Sequence, residues 1–437
     1  MTTTASTPLS LLRDLGSPEE LGLLAEQDRA RLPDLRVNSH VHLPPNFSAF
    51  DRIAQPVELA AEQGVDVLGV SNYYDYAAYA PFTAAAAARG VFPLFGLEII
   101  CMIDELREQG TKINDPGNPG KMYICGKGTT RFTDDTLTAE ARRLLDKIRS
   151  SDGRRMAEMT GKLALTLAQR GLPTGLDHEG VKDMVAARHG LPRDTVHLQE
   201  RHLCQAFQQR FFDKTPPTER LDRLATLLGS ASKAKSPDDH VTIQNEVRAH
   251  LLKAGKSAFV DESFVTFDEA VRLILEMGGI PCYPVLADGA SPICPFEATP
   301  EQLVRNLRDR GLYAAELIPI RNSPPVLRRY VAALREAGFI VTAGTEHNTL
   351  DLLPIEPTCI GGEPIPDDCR ATFVEGACVV AAHQYLGAHG QAGYVDADGN
   401  PAGNYVSQGG RVAALARLGA AVIERFRAAA GRSSSPA

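Results

Sequence analysis

Several features are scarce or missing in this 437-residue chain, and each absence excludes something. No apolar run approaches the ~20 residues that a helix needs to cross a bilayer. None of the eight cysteines belongs to a C-x-x-C pair, which argues against a zinc ribbon or a disulfide frame and for reduced, buried thiols. Basic charge is not in excess. The formal net charge of −8 and pI near 5.8 argue against a general nucleic-acid binder and against attraction to an anionic membrane surface. No G-x-x-x-x-G-K-[ST] loop is present; "GKG" at 126–128 is flexible backbone but not that motif, so ATP-dependent chemistry is not expected. The start, "MTTTASTPLSLLRDLGSPEE", lacks a basic segment followed by an apolar block, so a cytoplasmic protein is expected.

What is present is a series of apolar runs, most ending in a polar or small residue. They are "LRVNSHVH" (35–42), "VDVLGVSNYYD" (65–75), "VFPLFGLEII" (91–100), "KMYICGKG" (121–128), "GGIPCYPVLAD" (278–288), "LYAAELIPIR" (312–321) and "GFIVTAGTEHN" (338–348). Helical stretches such as "SFVTFDEAVRLILEMGG" and "SPPVLRRYVAALREAG" separate several of them. Strand–helix alternation predicts an α/β fold with a parallel sheet and crossover helices, and seven runs suit a barrel slightly smaller than the eight-stranded kind. The expected organisation is a helical leader over 1–34, a barrel from 35–133 and 259–390, a helical insertion over 134–258, and a C-terminal loop, helix and tail over 391–437. The insertion contains "DHEGVKDMVAARHGLP" and "HLQERHLCQAFQQ", which could form a helix-turn-helix. Its mixed charges make a cap over the barrel mouth the simpler expectation.

Chemistry is expected at the C-terminal ends of barrel strands. In "RVNSHVHLPP" His40 and His42 are one residue apart, so on an extended chain they share a face and could share an ion. Glu98 in "GLEII" and Glu346 in "AGTEHN" end the third and last runs, next to His347. Ordinary salt bridges would explain either acid alone. Two imidazoles and two carboxylates aimed into one mouth would instead suit Zn²⁺, Mn²⁺ or Fe²⁺. Lys127 and Arg321 end the fourth and sixth runs and could hold an anionic substrate group, or could be solvated basic residues. Glu316, in "AAELIPI", could be a general base or a member of a buried ion pair with an arginine.

The order H-x-H, G-[VI]-D-x-[LI], G-x-E and a final G-[ST]-[DE] resembles the polymerase and histidinol phosphatase (PHP) family over roughly residues 35–128 and 265–385. That resemblance implies a distorted seven-stranded β/α barrel, phosphoesterase activity and usually two or three metal ions. "ERHLCQAF" is also similar to a helical segment of the family's nucleotide-directed members. The family's T-D-H is replaced by Ser71-Asn72-Tyr73, a fourth-strand histidine by Tyr123, and H-P by Tyr283-Pro284, while G-S-D-x-H becomes Gly344-Thr345-Glu346-His347. The carried-over ligands are His40, His42, Glu98 and Glu346, with His347 beside them. One metal site is thus expected to survive, with one divalent ion per chain.

Tyrosine is a reluctant ligand for a divalent ion. Tyr73, Tyr123 and Tyr283 are therefore expected either to fill the vacated mouth or to donate protons to a substrate, with Lys127 and Glu316 as further catalytic candidates and Asn72 and Arg321 as substrate contacts. A single ion lacks the two-ion clamp of phosphoryl transfer but can still activate water. The leading expectation is hydrolysis of a small phosphorylated metabolite through a metal-bound hydroxide. The alternatives are a lyase or isomerase of a sugar-like substrate, and a non-catalytic metal-binding barrel. A small-molecule substrate is the expected partner, with self-association left open.

Overall fold

The computed structural model describes residues 7–27, 32–403 and 405–433; part of the expected leader, 1–6 and 28–31, lies outside them. Among the described residues ten strands form a mixed α/β architecture: β1 (Val37–Val41), β2 (Val67–Val70), β3 (Asn72–Tyr73), β4 (Phe92–Leu94), β5 (Gly96–Met102), β6 (Lys121–Lys127), β7 (Val265–Thr266), β8 (Ile280–Val285), β9 (Ala314–Leu317) and β10 (Ile340–Ala343). They fall into two sheets. One has the order β1-β2-β4; the other runs β10-β9-β8-β6-β5-β3, with β7 paired to β5.

The expected closed ring is not detected among the described strands. Two of the expected runs are broken. The second run splits at Ser71, so that β2 pairs with β1 and β4 while β3 pairs with β5. A bridge between Val41 and Glu346 links the sheets, reinforced by Thr345 and Glu346 backbone amides donating to the His40 carbonyl. Gly344 is required at this seam, because a Cβ there would lie 2.3 Å from the His40 Cβ.

The expected all-parallel order also fails at β6, which is antiparallel to both β5 and β8. No crossover helix fits between β5 and β6. The connection holds only the short helix Asp104–Glu108 and the Asp115-Pro116-Gly117 and Asn118-Pro119-Gly120 turns, so the chain folds back on its neighbour. The register sets Glu98 opposite Cys125, Ile100 opposite Tyr123 and Gly96 opposite Lys127.

Helices cover the sheets. Phe267–Glu276 shows how locally the sequence specifies them: Thr266 Oγ1 accepts from the Glu269 amide while the Glu269 carboxylate accepts from the Thr266 amide, a reciprocal N-terminal cap. Its apolar face, Ala270, Leu273 and Ile274, is buried against the sheet. Asp367–Ala388 is buried along most of its length, as befits a helix enclosed by the sheet and by Gln408–Ser433.

Residues 139–252 form a helical layer with a hydrophobic cluster of its own, around Met159, Leu163, Val181, Leu203, Phe207 and Ile243. Helix Ala139–Gln169 serves both cores: Leu144, Leu145 and Ile148 pack into the sheet core, Met156 through Leu167 into the helical one. The layer docks on the loop that follows the two histidines. Gln199 Oε1 accepts from the Phe47 amide at 2.7 Å, and His189 Nδ1 meets the Asp51 carbonyl at 2.8 Å. It also holds Tyr74, whose hydroxyl donates to Asp152 at 2.6 Å.

A candidate metal centre

His40 and His42 alternate inward from β1 and its end, and both are buried. His40 Nδ1 lies 2.7 Å from Glu316 Oε1, and Lys127 Nζ lies 2.6 Å from Glu316 Oε2. Lys127 also donates to the Ser39 carbonyl and to Ser71 Oγ, each at 3.1 Å. Burial opposes ionisation of Glu316, but Lys127 and His40 outweigh it and hold the carboxyl down at about 2. Burial likewise opposes the Lys127 charge, and Glu316 restores it, leaving the ammonium above its ordinary range. A carboxylate at Nδ1 places the imidazole proton there and turns the Nε2 lone pair away from it.

That lone pair faces two more donors. His40 Nε2 is 3.2 Å from His42 Nε2, His42 Nε2 is 3.2 Å from Glu98 Oε2, and His40 Nε2 is 3.9 Å from the same oxygen. A tetrahedral ion with ligands about 2.05 Å away has donor–donor edges of about 3.3 Å, so this triangle has the size of one coordination face. Glu98 Oε2 is buried with no hydrogen-bond partner among the described residues. An orphaned carboxylate oxygen facing two imidazole nitrogens fits a divalent cation. Two histidines and one carboxylate leave further coordination positions open, as a reactive site requires.

The other expected ligands turn elsewhere. Glu346 and His347 both have left-handed backbone, φ 60° and 53°, which takes the chain out of strand geometry just where the last run was expected to aim its ligands. The Glu346 carboxylate is gripped by both terminal nitrogens of Arg321, with 2.9 Å to Oε1, and by the Asn348 amide at 2.8 Å. Burial disfavours its charge, yet Arg321 and then His40 and His42 hold the carboxyl below its usual range. His347 bonds Thr345 Oγ1 at 2.7 Å and the Leu353 carbonyl at 2.9 Å, and stacks on Phe50.

Nor do the expected catalytic and substrate residues form one group. Tyr73 stacks on His42 with centroids 5.1 Å apart. Burial, followed by Glu98, raises its hydroxyl pKa well above the ordinary value. Tyr123, inward-facing on β6, is pushed up to about 12 chiefly by burial. Both phenols are therefore protonated donors at neutral pH. Tyr283 points the other way. Cys282, its neighbour in β8, faces the Lys127–Glu316 pair, so Tyr283 lies on the opposite face and donates to Glu297 at 2.6 Å. Asn72 is occupied with both backbone groups of Leu43. Lys127 lies opposite Gly96 and Ile280, at the starts of β5 and β8, because β6 is reversed; it lines the floor rather than the mouth. Arg321 is occupied by Glu346, and the Glu316 partner is a lysine rather than an arginine.

One residue was not singled out from the sequence. Arg201, in "ERHLCQAF", is half-buried over the Phe47 ring, donates to Asn245 Oδ1 at 3.1 Å and is near enough to Tyr73 to interact electrostatically. Among the described residues it has no carboxylate partner: the neighbouring Glu200 is taken by Arg155, Arg248 and Lys253. Only its place in "ERHLCQAF" could have hinted at this, since nothing in the sequence says that this helix packs on the loop at Phe47.

No family model and no curated protein matches the chain. Among solved structures, it is similar to a protein of Bifidobacterium adolescentis proposed to be a metal-dependent phosphoesterase, with 15% identity and TM-score 0.50 over 79% of this chain and 98% of the other. It also matches an amidohydrolase of Chromobacterium violaceum with bound sulfate and no metal, at 16% identity and TM-score 0.47, over 77% and 96% of the two chains. The first likeness establishes a shared fold. No described helix is long and apolar enough to cross a membrane.

Proposed function

We propose that this chain is a metal-dependent hydrolase of the polymerase and histidinol phosphatase type, its two sheets forming a distorted seven-stranded β/α barrel, and that it cleaves a phosphate ester of a small metabolite at a mononuclear site. The triangle of His40 Nε2, His42 Nε2 and Glu98 Oε2 carries this reading. The fold shared with a protein proposed to be a metal-dependent phosphoesterase supports it. A divalent ion, when bound, would supply Lewis acidity and a water whose pKa is brought toward 7.

The chain's own groups do the rest. Glu316 and Lys127 fix the His40 ring so that Nε2 faces the ion. Tyr73 and Tyr123 present O–H donors beside Glu98, suited to a phosphoryl oxygen or a departing alkoxide. Arg201, over the Phe47 ring and near Tyr73, offers a cation that makes no ion pair among the described residues. The lyase or isomerase alternative needs a side chain free to move protons, and Lys127, one candidate for that task, is locked in a buried pair. Hydrolysis fits these residues better.

The test is phosphate release from a panel of sugar and nucleoside phosphates with Mn²⁺ or Zn²⁺. Activity that disappears in His42→Ala along with bound metal is expected. Carbon-skeleton change without phosphate release would favour the lyase or isomerase, and retained metal with no turnover would favour a binding barrel.

A further inference from the structure

Next to the candidate metal triangle lies a second cluster that shares His40 with it and contains a thiol that the proposed reaction does not use. His40, Cys125 and Glu316 each bring a donor atom within 4.8 Å of the others, all three buried. An imidazole, a thiol and a carboxylate at that spacing could hold a soft divalent ion such as Zn²⁺. Lys127 stands in the same space. Its Nζ is 2.6 Å from Glu316 Oε2 and 3.1 Å from both the Ser39 carbonyl and Ser71 Oγ, so three oxygens surround the ammonium much as they would surround a cation.

The register of β6 explains the coincidence. Tyr123, Cys125 and Lys127 alternate onto one face of an antiparallel strand, and β8 brings Cys282 opposite Cys125. The lysine stem therefore runs beside the thiol, and its head reaches the carboxylate that would otherwise complete a ligand set. Burying the Glu316 charge without a counter-ion would be prohibitive. An ionised Glu316 needs a cation beside it whatever its origin, and without one the carboxyl would be held protonated.

We infer that Lys127 is a built-in cation occupying a latent second metal position, and that this keeps the centre mononuclear. The inference deepens the one-ion reading above, but it concerns a different set of ligands and can fail separately. Removing the ammonium while keeping Cys125, His40 and Glu316 should open the position to a divalent ion bound partly through sulfur, with the Cys125 thiol and His40 Nδ1 each releasing a proton to solvent as it binds.

Cobalt distinguishes the two positions, because His40, His42 and Glu98 include no thiol. In the full chain, Lys127→Met titrated with Co²⁺ should develop the charge-transfer absorption of a Co²⁺–thiolate bond, and should take up one more equivalent than wild type. Wild type and the double variant Lys127→Met/Cys125→Ser should not show that absorption. A folded Lys127→Met chain with no thiolate band and unchanged stoichiometry would overturn the inference. Lys127→Met strands the Glu316 carboxyl, which threatens its fold without metal, so Lys127→Met/Glu316→Gln, which removes that charge, serves as the folded control. If that control folds and Lys127→Met stays unfolded at saturating Co²⁺, the inference is equally overturned, since a formed site should have rescued it. If wild type binds no ion but Lys127→Met gains the thiolate band, the mononuclear reading falls while the placing of Lys127 in a latent metal position stands.

Discussion

His40 is the residue on which the centre turns, because each of its ring nitrogens is committed to a different neighbour. Nδ1 meets Glu316 at 2.7 Å and Nε2 looks toward His42 and Glu98. Glu316→Gln keeps the shape but leaves Lys127 as a buried charge without its counter-ion. Breaking such a pair costs about 3–5 kcal/mol, and loss of a carboxylate behind a metal-bound histidine weakens metal affinity about 10–100-fold. Urea denaturation and metal titration of the variant should register both losses. Much of this was legible in the residues: H-x-H on an extended segment and the glutamate of "GLEII" do converge. The roles of Lys127, Arg321 and Glu346 were not legible, because a charge at a strand end reads alike whether it faces substrate or pairs with another side chain. Sequence gives the donor but not its partner.

Elements decide which donors meet. Alternation along β1 and β5 turns His40, His42 and Glu98 toward one point, and the reversal of β6 moves Lys127 to the other end of the strands. The reversal has a local cause in the tandem Asp-Pro-Gly and Asn-Pro-Gly turns, visible in the sequence as turns but not as a change of direction. The left-handed backbone at Glu346 and His347 leaves no signal in the residue types at all. Where β10 runs on into the seam with β1, Gly344 has no room for a side chain. Gly344→Ala should push on the His40 Cβ, cost about 1–3 kcal/mol by overpacking, and weaken metal binding without replacing a ligand. Isothermal titration of the ion, with urea unfolding on the same sample, would check this.

At the scale of the whole molecule, two hydrophobic clusters share one long helix, so the helical layer is tied into the sheet core rather than hung from it. The expected boundary at 134 therefore separates segments of sequence more cleanly than it separates packing: Leu144, Leu145 and Ile148 belong to the sheet core. Global stability also carries a proton linkage far from the centre. His383 accepts from the Tyr394 amide at Nδ1 and donates through Nε2 to the Gly278 carbonyl, a pattern open only to the neutral ring. Burial takes its pKa from 6.5 down to about 4. Above pH 6.5 the ring is neutral folded or unfolded. Below it the unfolded chain takes up a proton that the native one refuses, and stability is lost progressively toward pH 4, by up to about 3 kcal/mol. His383→Gln, which can still donate and accept, should flatten that part of the pH profile of the urea midpoint relative to wild type.

The central claim is that one divalent cation sits among His40 Nε2, His42 Nε2 and Glu98 Oε2, and anomalous diffraction from crystals of the metal-loaded chain tests it most directly. A single anomalous peak about 2.0–2.2 Å from all three atoms is the predicted result. A peak centred elsewhere, or none at this triangle in metal-replete crystals, would contradict it.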